Sequence, residues 1–163
     1  MRPIPLTENG AAFVTLHIAP LDGRKMVSQR FLLDTGATQT SIPKKFLVSA
    51  LGYTEEYVQA NRVLLPEKLQ PTMANGERAD VYKIPIPRLN IGGYEIQHDF
   101  IISSDSVDLS FLLGLDLLSY FKFTFDFDAI SKDTPYGSVF LEFRKGRRRD
   151  FSKMGGAFAH ELK

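Results

Sequence analysis

Three large apolar residues, Phe31-Leu32-Leu33, deliver a single carboxylate onto a turn, Asp34-Thr35-Gly36-Ala37-Thr38. An apolar run this short, followed by a turn that contains a glycine, reads as a buried strand. A carboxylate at the end of such a strand gives up hydration, so the fold must supply it with hydrogen bonds or a partner. Gly36 lets backbone approach closely, and N–H groups at such a turn can hold the Asp34 oxygens. Thr35 adds a hydroxyl that both donates and accepts.

The flanking sequence supplies strands to pack around that turn. From Ala11 to Ile18, Phe13, Thr15 and His17 alternate with Val14, Leu16 and Ile18, the period of a half-buried strand. Pro20-Leu21-Asp22-Gly23 supplies a turn, and Met26 to Leu33 returns as a second strand ending at Asp34. Thr38 to Ile42 is expected as another short strand, and Pro43 as the first residue of a helix that stops near Gly52. Thr54 is expected to cap a second short helix, with Glu55 and Glu56 in its first turn. Strands are expected over Pro66 to Met73 and Glu77 to Ile86, joined at Ala74-Asn75-Gly76, since Asn-Gly is a strong hairpin signal. Pro85 and Pro87 put the returning strand at an edge or a bulge, because proline cannot donate in a central ladder. Leu89 to Ile96 reads as a further hairpin, Ser103 to Ser110 as polar loop and Phe111 to Leu113 as a buried strand. Helical turns are expected over Leu115 to Phe121, then strands over Phe123 to Asp128 and Ser138 to Phe143. Many short strands with little helix point to an all-β, closed barrel-like domain with a few short helices.

The 163 residues, 44% of them apolar, suit one domain over 1–143 followed by a tail over 144–163. The domain carries thirteen basic against seventeen acidic residues, the tail seven against two. Within the tail, Arg144-Lys145-Gly146-Arg147-Arg148-Arg149 is read either as a solvated run or as a contact for nucleic acid or an acidic partner. The absence of cysteine excludes disulfides and thiolate metal sites. His17, His98 and His160 are too far apart in sequence to suggest a local ligand pattern, so neither a metal nor a cofactor is expected, and each histidine reads as a surface or satisfied strand residue. No serine sits in a nucleophile elbow and no glycine-rich phosphate loop is present. With no apolar run of signal-peptide or membrane-span length, the expectation is a cytoplasmic protein without membrane contact.

Leu33-Asp34-Thr35-Gly36-Ala37 resembles the active-site loop of the retropepsin-like aspartic proteases, the retroviral type. A second element about eighty residues on, Phe111-Leu112-Leu113-Gly114-Leu115-Asp116-Leu117-Leu118, is similar to the apolar-apolar-Gly segment and short helix that back that loop in the family. Met73-Ala74-Asn75-Gly76-Glu77 sits where those enzymes carry a flap hairpin. The resemblance covers roughly residues 11 to 143. It implies the closed, barrel-like acid protease fold, with Asp34, Thr35 and Gly36 catalytic. By the same resemblance Ala37, Thr38, Asn75 and Gly76 contact substrate, and Leu113 and Gly114 support the active loop.

Hydrolysis by paired carboxylates needs two groups sharing one proton, one a base toward water and the other an acid toward the scissile carbonyl. The chain holds one Asp-Thr-Gly; Asp133-Thr134-Pro135 comes nearest to a second, and Pro135 cannot replace the glycine. The partner carboxylate must then come from a second copy, which makes the expected enzyme a homodimer acting on an extended polypeptide under its flaps. A third reading of the tail places it near that interface, with Phe151 and Phe158 to dock. Thr38 and Leu115 stand where retroviral enzymes carry an acid and its arginine partner; losing both together strands no charge. The plainer alternatives are a turn aspartate bonded to its own backbone, an ordinary surface hairpin at Asn75-Gly76, and a non-catalytic dimerisation or binding module presenting its basic tail.

Overall fold

The structure, a computed structural model, describes residues 2–70, 80–103 and 108–144. A two-residue strand, β1 (Ile4–Pro5), precedes β2 (Phe13–Ile18), where Val14, Leu16 and Ile18 are buried and Phe13 and Thr15 exposed, as the alternation requires. β3 (Val27–Leu33) pairs antiparallel with β2 from Phe13 opposite Leu32 to Ile18 opposite Val27.

Two short helices follow. Pro43 is the extended N-cap of α1 (Lys44–Ser49), with ψ 130°, rather than its first helical residue. α2 (Glu55–Asn61) starts where the Thr54 hydroxyl accepts the Tyr57 N–H at 3.1 Å, with Glu55 and Glu56 in the first turn. Leu47 and Val58 anchor the two helices in the core. β4 (Val63–Leu64) follows, but in the described part of the strand expected from Pro66 a 3-10 turn forms over Glu67–Leu69. There the Gln70 side chain takes the place of a strand neighbour: its Nε2 donates to Leu65 O at 2.8 Å and its Oε1 accepts the Val81 N–H at 2.7 Å. The expected hairpin tip, with Asn75 and Gly76, lies outside the described residues.

β5 (Val81–Ile91) and β6 (Tyr94–Ser103) form one long hairpin, so the two short strands expected within 77–91 are a single one. Its turn is Gly92 and Gly93 at φ 59° and 85°, torsions that favour glycine. The register shifts between Ile86 and Leu89, where Pro87 lacks a ladder donor.

β7 (Leu112–Leu113), α3 (Leu115–Leu118), β8 (Phe121–Asp126) and β9 (Ser138–Phe143) complete the chain's described elements. The helix is shorter and β8 begins earlier than the sequence suggests. β8 also stops at Asp126, whose Oδ1 accepts the N–H groups of Asp128 and Ala129 at 3.0 and 2.9 Å and turns the chain away.

The strands form a three-stranded sheet, β1-β9-β8, and a six-stranded sheet, β4-β5-β2-β3-β7 with β6 on β5. Among the described residues no ladder of named strands joins β6 to β7. Thr40 to Ile42 lies between them: Ile42 N–H donates to Ile101 O at 3.1 Å and Ser41 N–H to Leu112 O at 2.9 Å. The short strand expected over Thr38–Ile42 is therefore only a bridge at Ser41. Inside, Phe31 meets Phe100 and Phe111 edge-on at 5.8 and 5.3 Å, and Leu16, Ile18, Ile42, Ile84 and Leu117 are fully buried around them. Burial of each such side chain contributes about 1.5–3 kcal/mol. Among the described residues no helix is long and apolar enough to cross a membrane.

Candidate active site

Asp34 stands one residue past β3, fixed from both sides of the strand end. Its N–H donates to Leu113 O at 3.0 Å, while Leu33 N–H donates to Ala12 O at 2.9 Å. The turn closes when Ala37 N–H reaches Asp34 O at 3.1 Å. The Gly36 N–H donates to Asp34 Oδ1 at 2.9 Å, so the carboxylate is aimed by the backbone of its own loop. A Cβ on Gly36 would stand 3.2 Å from that same Oδ1. Asp34 is half-buried, whereas Thr35 and Gly36 face solvent in the single subunit.

The parallel pairing of Leu32 with Leu112 and Leu33 with Leu113 brings the second element behind the loop. Leu115 N–H donates to Ala37 O at 2.9 Å and Asp116 N–H to Thr38 O at 3.3 Å. Gly114 has ordinary extended torsions, φ −91° and ψ 178°, so its glycine answers to space and not to conformation. A Cβ there would meet Gln39 C at 2.6 Å, Gln39 O at 2.7 Å and Ala37 O at 3.0 Å. Asp34, Thr35, Gly36, Ala37, Thr38, Leu113 and Gly114 thus form one backbone-bonded patch. Leu115 packs partly buried against the core.

Sequence reading missed the polar layer beneath this patch. Thr40 and Asp116 are buried, and Thr40 Oγ1 donates to Asp116 Oδ1 at 2.7 Å and accepts the Gly114 N–H at 3.0 Å. His98, a satisfied strand residue as expected, places Nε2 at 2.8 Å from Asp116 Oδ2. The one available signal was a lone acid inside Leu-Leu-Gly-Leu-Asp-Leu-Leu, a position where burial demands partners. Elsewhere, burial and the neighbouring Tyr57 push the Tyr53 phenol from 10.0 up to about 12. Among the described residues no three or more of His, Cys, Asp and Glu gather as a metal site.

A family model described as gag-polyprotein putative aspartyl protease matches residues 21–120. Among solved structures the chain is similar to a retropepsin-like aspartic protease from Rickettsia conorii, with a TM-score of 0.54 and 23% identity over 85% of this chain and 97% of that one. No curated protein matches the chain in sequence.

Proposed function

Since the chain belongs to the gag-polyprotein putative aspartyl protease family, of retropepsin-like type, we propose that it is an aspartic endopeptidase whose active site is completed by a second copy of itself. Two Asp34 carboxylates face one water across a twofold axis. The ionised one takes a proton from the water as its oxygen attacks the peptide carbonyl carbon, and the protonated one gives its proton to the carbonyl oxygen. Collapse of the resulting diol breaks the C–N bond as the amine nitrogen receives the proton that the first carboxylate took from the water, while a diol hydroxyl returns its proton to the second carboxylate. The requirement for one shared proton favours mildly acidic conditions.

The observation that carries this reading is the Asp34 carboxylate itself: half-buried at a strand end, held at Oδ1 by the Gly36 N–H and backed at 3.0 Å by Leu113 O on its own N–H. A turn aspartate also bonds its own backbone, but it has no need of a second element packed so tightly that only glycine fits at position 114. Thr35, exposed in one subunit, is assigned to the contact with its mate, and Ala37, Thr38, Asn75 and Gly76 to substrate. Phe125, Phe127 and Phe140, 37%, 62% and 41% exposed on and beside the three-stranded sheet, favour a protein that buries apolar surface against a partner. The bonds from Ile42 to Ile101 and from Ser41 to Leu112 support a sheet that closes into a barrel over residues 1–143.

The test compares the unmodified protein with Asp34→Asn on an unfolded protein mixture at about pH 4 to 7, with dimerisation followed in both. Cleavage that disappears in a variant still dimeric is the expected result. A well-folded dimer that cuts nothing, or a stable monomer that cuts, would overturn the proposal; the former would favour a binding module.

A further inference from the structure

Beneath the backbone bonds that join the Asp34 loop to the element behind it runs a side-chain relay from three separate parts of the chain. Asp116, 3% exposed, has three polar neighbours at its carboxylate: Oδ1 takes the Thr40 hydroxyl at 2.7 Å and the Leu117 N–H at 2.8 Å, while Oδ2 stands 2.8 Å from His98 Nε2. The His98 ring, on β6, stands edge-on to Phe100 and Tyr120 at 6.3 and 5.6 Å, which fixes its plane. Thr40, seventy-six residues from Asp116, spends its only hydroxyl proton on that carboxylate, so a lone pair is left to receive the Gly114 N–H at 3.0 Å. Gly114 in turn lies against Ala37 O and the Gln39 backbone, and its neighbour Leu113 accepts the Asp34 N–H.

A polar cluster as buried as this one adds little to stability that a well-packed apolar group would not also supply. What a relay of directional bonds does supply is a fixed distance. We propose that Asp116 and His98 are positioning residues for the Asp34 carboxylate, acting through Thr40 and Gly114; the proposal rests on the hydrolytic reading of Asp34. His98 orients Oδ2, which orients Oδ1 toward Thr40, which sets Gly114 and, through it, the height of the catalytic loop. Each subunit of the dimer carries its own relay, so a displacement enters the separation of the two carboxylates twice. A misplacement of about 1 Å at reacting groups can cost about a hundredfold in rate.

The experiment replaces Asp116 by Leu and, as a conservative companion, by Asn. Asn keeps Oδ1 for Thr40 and Leu117 and turns an amide toward His98, which can answer with its other tautomer. Asp116→Leu is expected to stay dimeric, to lose about tenfold to a hundredfold in kcat with KM within about twofold, and to exchange its Gly36 and Gly114 amides faster. Asp116→Asn is expected to recover most of both properties. If Asp116→Leu does not fold, His98→Phe cuts the relay at its outer end, where the side chain is 14% exposed, and is read by the same two measurements. Unchanged kcat together with unchanged amide protection in the folded variant would overturn the proposal. If the unmodified protein cleaves nothing, the hydrolytic reading fails by itself, and amide exchange still decides whether the relay holds the loop.

Discussion

Replacing Gly114 by alanine tests the packing on which the site depends. Because φ −91° and ψ 178° suit any residue, the substitution carries no torsional cost, and its whole effect is steric. The new methyl would stand 2.6 Å from Gln39 C, 2.7 Å from Gln39 O and 3.0 Å from Ala37 O, where ordinary contact begins at 3.4 Å. All three atoms are backbone and cannot rotate aside, so the two segments must part by about 0.8 Å, the gap between the shortest contact and an ordinary one. Parting them costs about 1–3 kcal/mol in overpacking. It also stretches the 3.0 Å bond from Gly114 N–H to Thr40, and a buried donor left unpaired adds about 1–3 kcal/mol. Gly to Ala stiffens the unfolded chain and returns about 0.4–1 kcal/mol. The net loss is about 1–6 kcal/mol, a large share of the roughly 5–15 kcal/mol that holds a domain together. Urea unfolding followed by far-ultraviolet circular dichroism, at one fixed protein concentration because the proposed dimer would gain stability by mass action, would read it. Gly93→Ala is the control: its Cβ meets nothing within 4 Å but its φ is 85°, so its cost of about 1 kcal/mol is conformational. A Gly114→Ala protein that loses less than the Gly93→Ala protein would refute the close approach.

Gly36→Ala should behave in the opposite way, since its Cβ meets only the movable Asp34 Oδ1, at 3.2 Å. Stability should change by less than about 1 kcal/mol while kcat falls about tenfold or more, and an unchanged kcat would contradict the aim given to Asp34 by this loop. Tyr53→Phe should leave neutral-pH stability intact or improve it, because the Tyr53 hydroxyl is buried without a hydrogen-bond partner among the described residues. The folded phenol, at about 12, lies above its unfolded 10.0, so its contribution is complete below pH 10 and is lost as pH rises toward 12. Urea midpoints across that alkaline range should therefore fall less in Tyr53→Phe than in the unmodified protein; parallel declines would contradict the burial.

Local chemistry made much of the fold legible. Alternation in Phe13–Ile18, the Thr54 cap with its two acids, and the Pro87 interruption each act within a few residues, and each appears where the sequence put it. The glycine at 114 was legible as a packing position, although only the structure shows that its tightest neighbour is the Gln39 carbonyl. What stayed hidden depends on residues far away in the chain. The 3-10 turn at Glu67–Leu69 exists because Gln70 reaches across to Val81, and no local propensity records that reach. Thr40 reads as one more β-branched strand residue until Asp116 and Gly114, more than seventy residues on, are brought against it.

The parallel pair of β3 and β7 couples Leu33 to Leu113 across eighty residues, and no nearer segment takes β7's place beside β3. Contacts this distant are formed only after the entropy of a long loop has been given up, which makes them slow relative to hairpins such as β5 and β6. During synthesis the β2–β3 hairpin can form while Asp34 still lacks Leu113, Gly114 and Asp116. The carboxylate is made early, but its geometry is set late: until residue 116 has left the ribosome, the growing chain holds the acid without the scaffold that fixes it.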